Sequence, residues 1–315
     1  MSDVIWKPHE GVQTFALSVG DVYECLYGGA RGGGKTDCGM AWLLRATEHP
    51  EARMLVIRRN ADDLADWIDR AHKMYPYAKI TGKPATIKFP SGATIRCGHL
   101  KDESAYTKYQ GHEYHRILIE ELTQIPSEES YLKLISSCRS TVEGLEPKVF
   151  CTANPGGKGH QWVKRRFIQG HKPKVAFKEE GSRYRMYIPA TVDNNPTLMN
   201  NDPDYVNFLD TLPEPLRSAW RHGDWDIFAG QYFTEWNPSK HIVTEDVATQ
   251  LGYGREYNKK YIGIDWGFSA PFACIWIEVT PDNRVFCYRE LYGTEKHPSE
   301  WGQEIMDMTG DEDIF

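Results

Sequence analysis

The sequence has no apolar stretch that approaches the roughly 18 residues needed to cross a membrane. Its N-terminus also lacks the charged-then-apolar pattern of a secretion signal. The seven cysteines include no C-x-x-C pair, which argues against a disulfide framework or a zinc site and favours a reducing compartment. These absences predict a cytosolic protein that is neither secreted nor attached to a membrane.

Positive charge is not in excess either, because the formal net charge at pH 7 is −7. An acidic chain is not a wholly basic nucleic-acid coat, although a local patch can still face DNA. Lys164, Arg165, Arg166 and Arg183 are candidates for such a patch. A run of charge is more often a solvated face, so both interpretations stay open.

The composition is that of an ordinary globular protein. Hydrophobic residues make up 40% of the chain and aromatic residues 12%, which does not indicate disorder. A chain of 315 residues is long enough for two domains.

A glycine-rich loop, G-G-A-R-G-G-G-K-T, begins at Gly28 and fits the phosphate-binding pattern G-x-x-x-x-G-K-[ST] from Gly29 onward. A β-prone run precedes it and a helix-compatible stretch follows, which is the context that the pattern needs. Lys35 is expected on the β- and γ-phosphates of a nucleotide and Thr36 on Mg²⁺. The residues expected to bind nucleotide are Gly29, Ala30, Gly32, Gly33, Gly34, Lys35 and Thr36.

Gln13 lies upstream of the loop, in a turn that runs into a short apolar segment. Its carboxamide offers a donor and an acceptor side by side, so it could read the edge of an adenine base. The alternative is an exposed polar residue in front of a core phenylalanine, Phe15, and the sequence does not separate the two.

Two carboxylates end the apolar run R-I-L-I-E-E at residues 116–121. In P-loop nucleotide hydrolases such a strand end faces the phosphates. We assign Glu120 to the metal and Glu121 to the general base that polarises the attacking water. A Glu at the metal position departs from the usual Asp, and its longer side chain must be accommodated. The alternative is two solvated acids at the start of a loop.

A second strand, K-V-F-C-T at residues 148–152, ends at the turn A-N-P-G-G. Thr152 and Asn154 are therefore placed at the edge where ligands bind in open α/β sheets. These polar groups could sense the γ-phosphate, whereas the alternative is a plain turn.

The order of these motifs resembles the ATPase domain of the large terminase subunits, the DNA-packaging motors of tailed phages. It comprises Gln13, the glycine loop, Gly111 before I-L-I-E-E, and T-A-N-P. The later segments Y-I-P-A-T-V-D-N-N-P and G-D-W-D are similar to the segment that leads out of that family's ATPase core. The resemblance covers nearly the whole chain.

The resemblance implies roles for these residues. Gln13 matches the adenine motif, Glu120 and Glu121 match the acidic pair, and the residues from Thr152 to Asn154 match the motif that couples hydrolysis to movement. Arg31 matches an arginine of the family's loop, and its guanidinium could stabilise charge on the γ-phosphate of its own or a neighbouring nucleotide. A solvated arginine or an ordinary phosphate contact is the alternative for Arg31.

The predicted fold class is α/β: a RecA-like, ASCE-type P-loop NTPase with a mainly parallel sheet and a small lid subdomain, followed by the beginning of an RNase H-like nuclease domain. We expect the ATPase at residues 1–230, with the lid at about 170–228. A linker follows at 231–258 and the incomplete nuclease at 259–315.

The nuclease prediction depends on a strand at 261–265 that delivers Asp265, followed by two further strands. A buried strand with one central carboxylate, paired to a meander, looks like the start of an RNase H-like sheet. Asp265 is expected to bind one of the divalent metal ions of such a site, and Glu290 is expected at the surface. The family's other metal-binding acids would lie beyond Phe315, so we do not expect this chain to cut DNA.

The sequence thus predicts an ATP- and Mg²⁺-dependent motor that moves double-stranded DNA into a procapsid in the cytoplasm of an infected bacterium. The resemblance implies a homo-oligomeric ring, a small terminase subunit and the portal protein as partners. Two alternatives stay open. One is a helicase or other DNA-dependent P-loop ATPase, and the other is a nucleotide-binding scaffold that does not hydrolyse ATP.

Overall fold

A computed structural model describes residues 4–226, 238–268 and 271–315 of the chain. The chain forms two compact units, Met1–Thr234 and Glu235–Phe315. Within the described residues, no helix has both the length and the apolar character needed to span a membrane.

The first unit alternates strands and helices along its first half. Its strands are β1 (Glu24–Gly29), β2 (Arg53–Arg58), β3 (Lys79–Thr81), β4 (Thr86–Lys88), β5 (Thr94–His99), β6 (Arg116–Ile119), β7 (Lys148–Ala153) and β8 (Arg185–Ala190). Its helices are α1 (Val12–Ser18), α2 (Lys35–Leu44), α3 (Leu64–Met74), α4 (Glu128–Ile135), α5 (His160–Phe167), α6 (Pro196–Asn201) and α7 (Pro203–Asp210).

In the described residues, the eight strands of this unit form one sheet in the order β3-β4-β5-β2-β6-β7-β1-β8. Along this order, the pairs β5-β2, β2-β6, β6-β7, β7-β1 and β1-β8 are parallel. The pairs β3-β4 and β4-β5 are antiparallel. This confirms the predicted α/β fold with a mainly parallel sheet. Because parallel strands share one direction, β1, β2, β6 and β7 end at the same edge.

Both faces of the sheet are covered, which explains the continuous apolar runs of its central strands. In β6, Leu118 belongs to the core cluster that contains Trp67 of α3. Its neighbours Ile117 and Ile119 belong to the cluster on the other face, with Trp162 of α5. Successive side chains of a strand point to opposite faces, so one short strand joins both cores.

The predicted lid, at about 170–228, is wrong in one part. Residues Arg185–Ala190 form β8, which pairs parallel to β1 and belongs to the main sheet. Pro189 argues against a strand in the sequence, but β8 lies at the sheet edge, where a missing backbone N–H is tolerated. Asp202 followed by Pro203 is a typical helix start, and the Asp202 side chain accepts a hydrogen bond from the N–H of Tyr205 at the start of α7.

The second unit contains α8 (Pro238–His241), α9 (Glu245–Gln250), β9 (Lys259–Asp265), β10 (Phe272–Val279), β11 (Val285–Gly293) and α10 (Pro298–Thr309). Its strands form an antiparallel sheet in the order β11-β10-β9, so the predicted meander is confirmed. Trp276 of β10 and Trp301 of α10 belong to its core. Of the predicted linker, residues 231–237 lie outside the described residues, and α8 and α9 lie in the rest.

The expectation that the strand carrying Asp265 is buried is wrong. β9 pairs with β10 alone among the described strands, and its last three residues are exposed. The apolar residues of this strand indicated burial. Because β9 lies at the edge of its sheet, even its apolar residue Ile264 is 44% exposed. The assignment of an RNase H-like nuclease stays a prediction.

Candidate nucleotide-binding site

The loop between β1 and α2 has the backbone geometry of a phosphate-binding loop. Gly34 has a φ of 70° and directly precedes the first residue of α2. Gly29 has a φ of 139°, and a Cβ at this position would lie 2.3 Å from the carbonyl oxygen of Ala190 in β8. Both positions therefore require glycine, which keeps the loop close to the sheet. Successive N–H groups of such a loop can surround an anion.

Lys35, the first residue of α2, is only 8% exposed. Its Nζ donates hydrogen bonds to the carbonyl of Ala30 and, at 2.8 Å, to Oδ1 of Asn154. Burial lowers the pKa of Lys35 to about 8, against the opposing charges of Glu121 and Glu120. Both acceptors are neutral, so a phosphate oxygen would be a stronger partner for this ammonium group.

Glu120 follows β6 directly and is 1% exposed, which excludes the alternative of a solvated acid for this residue. Its Oε2 accepts a hydrogen bond from Oγ1 of Thr36 at 2.9 Å and one from Nη2 of Arg58 at 3.2 Å. Burial raises the pKa of Glu120, and the charge of Arg58 opposes that shift. The longer glutamate side chain thus reaches the loop threonine that a metal ion would share.

Glu121 adopts a left-handed backbone conformation with a φ of 56°. Its N–H donates to Oγ1 of Thr152 at 3.2 Å, and both of its carboxylate oxygens lie 3.1 Å from Nδ2 of Asn154. Positive φ is unfavourable for a residue with a side chain, so the backbone here is strained. This backbone conformation directs the two consecutive side chains differently: Glu120 contacts Thr36, and Glu121 contacts Asn154.

Asn154 thereby connects two of the predicted residues. Its side chain accepts from Lys35 through Oδ1 and donates to Glu121 through Nδ2. Its backbone carbonyl accepts from Oγ1 of Thr123 at 2.9 Å, which fixes the turn after β7. A plain turn would not need these contacts, so Thr152 and Asn154 belong to the constellation.

Gln13 is 2% exposed, so the alternative of an exposed polar residue is wrong. Its Oε1 accepts from the N–H of His9 at 2.8 Å, and its Nε2 donates to the carbonyl of Gly34 at 3.0 Å. The carboxamide therefore joins the N-terminal segment to the phosphate loop. One donor and one acceptor site are left over, and recognition of adenine by Gln13 stays a prediction.

Arg31 is exposed at the tip of the loop and is held from outside it. Its guanidinium carbon lies 3.4 Å from the ring centroid of Trp220, and its backbone N–H donates to the carbonyl of Trp220 at 2.8 Å. A cation over an indole face is attracted by the ring. Arg31 is thus not simply solvated, and its catalytic role stays a prediction.

These residues surround a cleft of about 1170 Å³, which is large enough for a nucleotide. The cleft is lined by Gln13, the loop residues Arg31 to Thr36, Arg58, Glu121 and Asn154. Thr197 and Tyr205, from the segment that contains α6 and α7, line it as well.

Two residues of the cleft, Asn195 and Arg58, were not predicted from the sequence. Asn195 donates from Nδ2 to the carbonyl of Gly32 at 2.7 Å, while its Oδ1 accepts from the N–H of Leu198 and caps α6. The signal was available, since Asn followed by Pro is a typical helix start. Arg58 had no such signal, because an arginine that ends a buried strand is also a common surface residue.

The donor set around Thr36 suits Mg²⁺. Mg²⁺ prefers oxygen ligands, usually one or two carboxylates together with phosphate oxygens, and Thr36 and Glu120 offer a hydroxyl and a carboxylate. Oε1 of Glu120 is buried and finds no hydrogen-bond partner among the described residues. The described residues contain no group of three or more His, Cys, Asp or Glu side chains that could hold a metal alone, so nucleotide and water would complete such a site.

The basic residues considered for DNA contact have partners within the chain. Lys164 pairs with Asp226 at 2.6 Å, Arg165 with Glu128 at 2.7 Å, and Arg166 with Glu24 at 2.9 Å. Arg183 lies over the ring of Tyr23. These contacts favour structural roles for the four residues over a free DNA-facing patch.

In the second unit, Asp265 ends the edge strand β9 in an exposed position, opposite Ala273 of β10. Glu290 of β11 is exposed, as predicted. Because no group of three candidate ligand side chains occurs in the described part of the chain, the metal role of Asp265 stays a prediction.

Comparison with protein families gives a match over most of the first unit. A family model described as phage terminase large subunit matches residues 21–222. No curated protein sequence gives a match.

Solved structures with a similar fold come from phage proteins. The large terminase of a thermophilic bacteriophage, in its crystal form 2, has a TM-score of 0.54 at 17% identity, covering 98% of this chain and 75% of that chain. The large terminase ATPase domain of Thermus phage P74-26 has a TM-score of 0.48 at 14% identity, covering 70% and 95%. The packaging motor assembly of bacteriophage Phi-29 has a TM-score of 0.47 at 15% identity, covering 93% and 82%. The first likeness shows a shared fold, and the other two carry no further weight.

Proposed function

We propose that this chain, which belongs to the phage terminase large subunit family, hydrolyses ATP in the cleft and so drives double-stranded viral DNA into a procapsid. The observation that carries the proposal is the position of Asn154 between Lys35 and Glu121. A phosphate-binding cation and a base for water are thus joined by one amide at the edge of the sheet.

The residues divide the chemistry among them. Lys35 holds the β- and γ-phosphates, and the N–H groups of the loop surround the α- and β-phosphates. Thr36 and Glu120 would hold Mg²⁺, which when bound would neutralise charge on the phosphates. Glu121 orients the attacking water and takes its proton. Arg31, once off Trp220, would stabilise charge that develops on the γ-phosphate.

Asn154 gives the site a way to respond to its ligand. A phosphate is a stronger acceptor than the amide oxygen, so nucleotide binding draws Lys35 away from Asn154. Asn154 and Glu121 can then rearrange together when the γ-phosphate arrives or leaves. Asn195 transmits the state of the loop to α6, because it bonds both Gly32 and the start of that helix. The shift of this lid segment is the movement that we connect with translocation.

The partners follow from the family and are part of the proposal. They are double-stranded DNA, the portal protein of the procapsid, a small terminase subunit and further copies of this chain in a ring. We place the activity in the cytoplasm of the infected bacterial host. A nuclease role for the second unit, with Asp265 on a divalent metal ion, is proposed on the family resemblance alone.

The test is steady-state ATP hydrolysis by the purified chain, with and without linear double-stranded DNA and with Lys35→Ala as the blank. We expect turnover in the wild type, none above background in the blank, and stimulation by DNA. Strand separation without packaging would instead identify a helicase. ATP binding without turnover, even when procapsids and DNA are added, would identify a non-hydrolysing scaffold and overturn the proposal.

A further inference from the structure

Arg58 is the last residue of β2, the strand beside β6, and it reaches the acid that follows β6. Its Nη2 lies 3.2 Å from Oε2 of Glu120, the oxygen that also accepts from Thr36. The Arg58 side chain is 18% exposed, that of Glu120 is 0% exposed, and Arg58 lines the cleft. Among the described residues, this guanidinium is the cation that forms an ion pair with the buried carboxylate of Glu120.

The pair does not satisfy the whole guanidinium. Nε of Arg58 is buried and finds no hydrogen-bond partner among the described residues. Buried donors in folded proteins are nearly always paired, so this orphan donor leaves the Arg58 guanidinium with spare hydrogen-bonding capacity beside the cleft that it lines. A planar guanidinium with free donors fits two oxygens of one phosphate.

The position of Arg58 selects one phosphate of the nucleotide. In P-loop sites the threonine hydroxyl lies at the metal between the β- and γ-phosphates. Arg58 shares its carboxylate oxygen with that hydroxyl of Thr36, whereas the loop N–H groups surround the phosphates nearer the ribose. The guanidinium therefore lies on the γ-phosphate side of the cleft.

We propose that Arg58 binds the terminal phosphate of a nucleoside triphosphate while it holds Glu120, so that it distinguishes ATP from ADP. The inference rests on the proposed function, since it requires a nucleotide in this cleft. It adds a second arginine to the site, since Arg31 and Arg58 line the same cleft. Because Arg58 pairs with Glu120 of the same chain, it acts on the nucleotide in its own cleft.

The test compares two dissociation constants, for the non-hydrolysable analogue AMP-PNP and for ADP, measured by calorimetry with Mg²⁺. Loss of a charge-assisted hydrogen bond predicts that Arg58→Ala binds AMP-PNP about 10- to 100-fold more weakly. ADP should change by less than about 3-fold, because it lacks the phosphate concerned. Arg70→Ala is the matched control: Arg70 lines the same cleft but pairs with Asp37 and Asp66, and both affinities should stay near wild type.

Thermal unfolding without nucleotide shows whether Arg58→Ala is folded. If it is not, Arg58→Gln replaces it, since glutamine can still donate to Glu120 but carries no charge, and the selective loss of AMP-PNP binding is expected again. Equal losses for both nucleotides would reduce Arg58 to a support for Glu120 and overturn the inference, as would no loss at all. If the wild-type chain binds neither nucleotide, the proposed function is overturned as well. If the Arg58 variant binds both nucleotides with the wild-type ratio of AMP-PNP to ADP dissociation constants, the inference alone is overturned.

Discussion

Each of the two units has a carboxylate at or directly after the end of a strand, but the two acids lie in different surroundings. Glu120 follows β6 of the first unit, is 1% exposed, and is bonded to Thr36 and Arg58. Asp265 ends β9 of the second unit and is exposed. The local sequence pattern, an apolar run that ends in an acid, is the same in both.

Strand direction explains the difference. In the first unit β1, β2, β6 and β7 are parallel, so their carboxyl ends meet and bring Arg58, Glu120 and Asn154 to the start of α2. In the second unit the strands are antiparallel, and the end of β9 lies beside the beginning of β10. The carboxyl ends of parallel neighbours thus bring several side chains together at one edge, whereas the antiparallel neighbour of β9 places the beginning of β10 beside Asp265.

The largest expected effect concerns turnover. Glu121→Gln keeps the size of the side chain but removes the base, so we expect kcat for ATP to fall about 10²- to 10⁴-fold. ATP affinity should change little, because Glu121 contacts Asn154 rather than the loop. Steady-state hydrolysis and equilibrium binding separate the two quantities, with Asp265→Asn as the control from the other unit. Unchanged turnover would show that Glu121 is not the base. The acids that follow β6 would then have no more catalytic importance than Asp265 of the second unit.

The next effect is on stability and compares one glycine from each unit. Gly223 has a φ of 70°, and a Cβ would lie 2.5 Å from the backbone nitrogen of Ala30. Gly252 has a φ of 106°, but its nearest neighbour would be Cγ2 of Thr280 at 3.5 Å. We expect Gly223→Ala to destabilise its unit by about 3 kcal/mol, from left-handed strain and a clash with backbone, and Gly252→Ala by about 1 kcal/mol from strain alone.

Differential scanning calorimetry of both variants measures these losses, since two units can unfold in separate transitions. Equal losses would show that the segment around Gly223 moves away from the loop at low cost. The tight packing that distinguishes the first unit would then be absent.

A smaller effect depends on pH. His160 is 1% exposed; its Nδ1 accepts from the N–H of Gly156, just past Asn154, and its Nε2 lies 3.0 Å from the carbonyl of Trp225. Burial lowers the pKa of His160 to about 4. An unfolded histidine has a pKa of about 6.5, so the unfolded chain takes up the proton first as pH falls. The contribution of His160 is fully present above pH 6.5 and is lost between there and pH 4, by about 2 kcal/mol from pH 7 to pH 5.

Denaturant unfolding at pH 7 and pH 5 tests this for wild type, for His160→Gln and for the control His72→Gln, which replaces an exposed histidine of α3. The His160 variant should lose part of the pH dependence, and the control should keep it. The same pH dependence in all three chains would contradict a buried neutral His160 behind the edge of the sheet.

Much of the first unit could be predicted from the sequence, because its signals are local. The apolar runs of β2, β6 and β7 predict the parallel sheet that the structure has, and the loop ending in Lys35 and Thr36 predicts a phosphate site at its edge. β8 was missed, since Pro189 argues against a strand and only its place at the edge makes it acceptable.

The contacts within the site could be predicted less well, because they join residues that are far apart in the chain. Nothing near Arg58 indicates that it meets Glu120, 62 positions later. The contact between Trp220 and Arg31 could not be predicted either, because it depends on the path that the chain takes after α7. The second unit shows the converse, where a local pattern indicated a buried acid and the edge position of β9 exposed it.

The smallest expected effect concerns Asp265 itself. Because its side chain is exposed on an edge strand, Asp265→Asn should leave ATP turnover unchanged and shift the unfolding midpoint by less than about 2 °C. A calorimetric titration with Mn²⁺ is the sharper measurement, since a metal ligand is detected even where stability is not affected. If the variant loses a binding site that the wild type has, Asp265 is a metal ligand of the predicted nuclease. Within the described residues, no group of three or more candidate ligand side chains includes Asp265.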